Sequence, residues 1–171
     1  MTWPASSFGR ANAAGLRVFG WFFAALLAAV CLNIGIAEAQ EPPKKEPLTV
    51  ETSSGPHTFE VEVAKTREQQ SRGLMFRRSL GPRDGMIFLH DEPQYITMWM
   101  RNTYIPLDMI FIYPDGKVHR IEESAEPLSE RIIESGERVT AVLELAGGMA
   151  AKLGLKPGDM VRHPHFKAPE G

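Results

Sequence analysis

Cysteine is all but missing from this chain: its single one, Cys31, lies in an apolar N-terminal segment. With that segment removed, disulfides, thiol nucleophiles and zinc–thiolate centres are all excluded. An excess of one charge is missing too. There are 19 Lys and Arg against 21 Asp and Glu, with no basic stripe and no polybasic patch. Nucleic acid is therefore not an expected partner, and neither is a membrane surface once the leader is gone. Ser71, Ser79, Ser124, Ser129 and Ser135 have no nucleophile-elbow context, which argues against a serine hydrolase. His57, His90 and His119 have no spacing that would place them on one metal, and His163-Pro164-His165 lies near the C-terminus. Neither a metal centre nor a cofactor is expected.

What is present begins with an export signal. Arg10 and Arg17 form a basic region, Val18 to Leu32 is apolar, and Ala37-Glu38-Ala39 puts small residues where a signal peptidase reads. Residues 1–39 read as a secretory signal peptide cleaved after Ala39, which sends the protein to the periplasm or beyond. The alternative is an uncleaved membrane anchor, since the apolar run falls slightly short of the ~20 residues that span a bilayer. Cleavage leaves 132 residues, one domain of ordinary size whose core must hold it together without staples.

Residues 40–54 read as a Pro- and charge-rich tether leading into the first strand, 55–163 as one compact domain, and 164–171 as a flexible tail. Phe59, Val61 and Val63 alternate with Glu60 and Glu62, the pattern of a half-buried strand. Thr66 to Leu74 is predicted helical: Thr66 and Gln69 have capping-box spacing, and Gly73 can end the helix. Gly85–His90, Tyr95–Met100, Leu107–Tyr113, Lys117–Ile121, Val139–Leu145 and Met160–His163 are β-rich. Gly147 to Leu153 is a second short helix. Strands at this spacing predict a mainly β domain, a β-sandwich or jelly-roll-like fold or a distorted barrel with one or two short helices. Met98 and Met100 share a strand face with Ile96, so they read as core filler rather than as soft ligands for Cu(I).

Polar residues cluster in the run Trp99 to Asp108. Asp108 heads a strand face whose next members are Ile110 and Ile112. As a site, Trp99, Asn102, Thr103 and Asp108, with Arg72 nearby, would form a shallow pocket in a noncatalytic binding module for a small polar ligand or an envelope protein. Asp108 as general acid or base would instead make an envelope hydrolase or other enzyme. In a purely structural or assembly domain, Asp108 would accept hydrogen bonds from loop amides, and Asn102 would form an Asx-turn.

Arg72-Gly73-Leu74-Met75, Gly85-Met86-Ile87-Phe88, the Trp99–Asp108 run, Ile110-Phe111-Ile112, Leu143-Glu144-Leu145-Ala146-Gly147-Gly148 and Gly158-Asp159 occur in that order. In these motifs the chain resembles the family called domain of unknown function 192, over roughly residues 55 to 163. The resemblance implies a compact, mainly β domain, often exported. It implies no activity, cofactor or catalytic residue.

Overall fold

The computed structural model describes residues 43–166. The leader read over residues 1–39 lies outside them, as do residues 40–42 of the tether and 167–171 of the tail. Seven strands form one sheet: β1 (Lys45–Thr52), β2 (Gly55–Ala64), β3 (Asp84–Met98), β4 (Leu107–Ile112), β5 (Val118–Ala125), β6 (Ile133–Ala146) and β7 (Met160–Arg162). Two short helices join them, α1 (Arg67–Arg72) and α2 (Met149–Leu153). Among the described residues, no helix is long and apolar enough to cross a membrane.

The strand order is β5-β4-β6-β3-β2-β1-β7. Neighbours pair antiparallel except β2 and β3, which run parallel with α1 in the connection between them. A parallel pair needs such a crossover. The sheet curls until its two ends meet. Val118 donates to the Asp159 carbonyl, Gly158 to that of Val118 and Val161 to that of Gly116, each at 2.8 Å, and Lys117 bridges Met160. The result is a curled sheet of distorted-barrel form, within the mainly β fold expected from the sequence.

Each face of this sheet has a core. Leu48, Val61, Ile87, Ile110 and Leu143 pack on one face, with Ala150 of α2. Met86, Phe88, Met109, Phe111 and Val142 pack on the other, with Leu74, Ile96 and Met100. The two-residue period of a strand produces this split, since 109 and 111 face away from 110 and 112. The central strands are buried on both sides, which explains their near-continuous apolar runs.

Three expectations about boundaries are corrected. The stretch assigned to a tether contains β1, and Leu48 and Val50 within it are core residues. Pro47 does not prevent this, because the short β7 pairs only with Thr49–Glu51 and leaves the amide side of Pro47 undemanded. The tail is not free from residue 164. Phe166 donates to the His163 carbonyl at 3.0 Å and packs against the first core. The β-rich run 85–90 and the 95–98 part of the run 95–100 belong to one strand, β3, which ends before Trp99 and is bent by register shifts between Leu89 and Gln94 and between Tyr95 and Thr97.

Candidate functional site

Asp108 is fully buried, at 0 % exposure. Where Leu107 faces Ala125 and Met109 faces Glu122, β5 has two residues, Glu123 and Ser124, opposite the single Asp108. Such a bulge orphans an amide. Here Ser124, in left-handed conformation at φ 46°, donates that amide to Asp108 Oδ1 at 2.7 Å. Gly148 donates to the same oxygen at 3.0 Å, and Ala150 to Oδ2 at 2.6 Å. Gly148 stands at the cap position just before α2, at φ 83°, and has no side chain to cap the helix. A carboxylate from β4 takes over that capping role for the orphan amides. The reading of Asp108 as an acid or base at a pocket mouth is therefore corrected. Its lone pairs are committed to backbone, as in the structural alternative, although the amides come from β5 and α2 and not from the 102–106 loop.

That loop is held by its neighbours. Phe76 donates to the Asn102 carbonyl at 2.8 Å, Leu128 to that of Thr103 and Thr103 to that of Met100, both at 3.0 Å. Asn102 sits at φ 59°, a conformation Asn tolerates better than most residues. Its side-chain nitrogen lies 4.0 Å from Met75 Sδ, exposed to solvent. Arg101 stacks over the Trp99 ring at 5.4 Å, a cation–π contact.

Beside this loop opens a cleft of about 290 Å³, close to the lower end of small-molecule sites at ~300 Å³. One wall is α1, with Arg67, Gln70, Ser71 and Arg72; the other is β3, with Phe88, His90, Ile96 and Met98. Thr66 and Gln69 close the capping box as the sequence predicts, fixing the start of α1. Gln70 ties the helix to the sheet by donating to the carbonyls of Leu89 at 2.9 Å and Ala64 at 3.3 Å. Gly73 ends the helix at φ 48°. A Cβ there would lie 3.1 Å from the Phe88 ring, so a side chain would crowd the cleft wall.

Of the five residues singled out in the sequence, the cleft gathers three: Arg72, Trp99 and Thr103. Asn102 and Asp108 are not among its lining residues. The residue that sequence reasoning missed is Glu144, which also lines it. Glu144 sits mid-strand in β6, opposite Met86 and Met109, and is 4 % exposed. Its Oε2 has no hydrogen-bond partner. Burial alone pushes its carboxyl up from 4.5 to about 8, so the acid is mostly neutral near pH 7. In the same lining, burial and then His165 lower the His90 imidazole below its usual range, while Asp91 opposes the shift. The available signal for Glu144 was one acid interrupting the apolar run Ala141–Ala146. Among the described residues, no group of three or more His, Cys, Asp or Glu side chains is placed to hold a metal ion.

The family profile DUF192, described as Uncharacterized ACR, matches residues 48–163. A solved structure from Sinorhizobium meliloti 1021, described as a candidate transcription regulator, is 44% identical. Its match covers 72% of this chain and 97% of that one, with a TM-score of 0.70. A protein of unknown function from Novosphingobium aromaticivorans DSM 12444 is 46% identical, covering 74% and 96%, with a TM-score of 0.69. No curated protein matches the chain.

Proposed function

The chain belongs to the DUF192 family, and from that premise we propose that it is a noncatalytic binding module for a small molecule held in the cleft above Glu144. On the sequence of residues 1–39 it would work outside the cytoplasm. The observation that carries the reading is the unpartnered Oε2 of Glu144 in the cleft lining. A buried polar atom without a partner costs roughly 1–3 kcal/mol. Folding gains nothing from it, whereas a ligand that supplies the missing hydrogen bond would recover that energy on binding. Trp99 and Arg72 at the same cleft are of the types that anchor bound partners.

A broad thermal-shift screen of metabolites, glycans and short peptides tests this. Hits should raise the melting temperature of the wild type and leave Glu144→Leu unmoved, although that variant should fold at least as well. A screen without hits would sink the reading. An enzymatic reading passes from Asp108 to Glu144, because a neutral acid in a cleft can donate a proton. Turnover of a screened ligand that Glu144→Gln loses while still binding would favour it.

A further inference from the structure

The cleft changes in character from mouth to floor. Arg67 and Arg72, both exposed on α1, line it. Among the described residues, neither takes part in an ion pair, whereas Arg77, Arg120, Arg131 and Arg162 each face a carboxylate. Leu74, Phe88, Ile96 and Met98 supply apolar wall, and Glu144 is the buried acid. A cationic ligand would meet two uncompensated guanidinium groups on entry. It would then have to ionise Glu144 in apolar surroundings, which is costly. An anion meets the opposite conditions, since guanidinium groups bind carboxylate and phosphate oxygens by charge-assisted hydrogen bonds. An un-ionised carboxyl both donates and accepts, so it suits an amide or hydroxyl on the same ligand.

Resting on the small-molecule reading above, we infer that the cleft takes a small amphiphilic anion. Its carboxylate or phosphate is held by Arg67 and Arg72, its apolar body lies against Phe88, Ile96 and Met98, and an uncharged hydrogen-bonding group faces Glu144.

Three matched probes test this on the purified protein by calorimetry, with amide chemical shifts locating the site: N-acetylphenylalanine, its neutral C-terminal amide, and phenethylamine. The acid should bind about tenfold more tightly than the amide, the scale of one good charged hydrogen bond. That margin should shrink with added salt and vanish in the double variant Arg67→Gln/Arg72→Gln. Both positions are exposed, and an unchanged circular dichroism spectrum would confirm that the double variant folds. Binding of the amine as tightly as the acid would overturn the inference, as would an acid preference that survives the double variant. Silence of all three probes also overturns it. The small-molecule reading falls only if the broad screen is silent.

Discussion

Asp108 and Glu144 are both buried acids on neighbouring strands, β4 and β6, yet the molecule treats them in opposite ways. Asp108 lies on the face of Ile110 and Ile112 and receives three backbone amides. Glu144 lies on the face of Met86 and Met109, and its Oε2 receives nothing. One carboxylate is consumed by the architecture, fastening a bulge in β5 to the start of α2. The other is held against its own hydration at the edge of a cleft. Burial and charge type alone do not separate a brace from a site; what separates them is whether the backbone around the group has orphans to give it.

The contrast predicts a large difference in stability. Asp108→Ala takes the acceptor from three backbone amides, that of Ala150 buried and those of Ser124 and Gly148 partly so, and a loss of roughly 3–5 kcal/mol is expected by chemical denaturation. A loss under about 1 kcal/mol would mean that water replaces the carboxylate and that the two acids are not so different.

The second prediction concerns pH. Folding raises the Glu144 carboxyl from 4.5 to about 8. The neutral form is therefore the one the fold favours. Its contribution is full below about pH 4.5 and is withdrawn as the pH rises towards and through 8. Wild type should lose a few kcal/mol over that window relative to Glu144→Gln, roughly 1.4 kcal/mol for each unit of pH. Parallel denaturation curves for the two proteins at each pH would show that Glu144 is hydrated after all.

The smallest effect belongs to the wall of the cleft. Thr66→Ala opens the capping box of α1 and should cost about 1 kcal/mol. Proton exchange at the α1 amides should speed up while that at Gly148 and Ala150 stays as it was, because Asp108 holds those without help from α1. Equal acceleration at both sites would show that the two regions are coupled.

Much of the fold was legible in the residues, because it rests on local patterns. The alternation of Phe59, Val61 and Val63 places β2, and the Thr66/Gln69 spacing places α1, each within a few residues of its own cause. Leu48 and Val50 carry the same kind of signal, but the prolines at 42, 43 and 47 outweighed it. The candidate site was only partly legible. Asp108 was recognisable as the polar head of an apolar face, yet its partners lie 16, 40 and 42 residues away in the sequence. Chain order carries no record of such meetings. Glu144 is the reverse case, since its defining property is the partner it lacks. An absence of that kind exists only once the sheet has brought Met86 and Met109 alongside it.

The pairing of β1 with β7 bears on the order of events in folding. The first strand of the sheet lies between β2 and the last, with Val50 opposite Val161. The sheet cannot close until its C-terminal residues arrive. Closing so long a loop costs little more than closing a shorter one, but sheets dominated by distant pairings form slowly. A growing copy of this chain therefore keeps its sheet open until Met160–Arg162 have been made, and β7 acts as the latch.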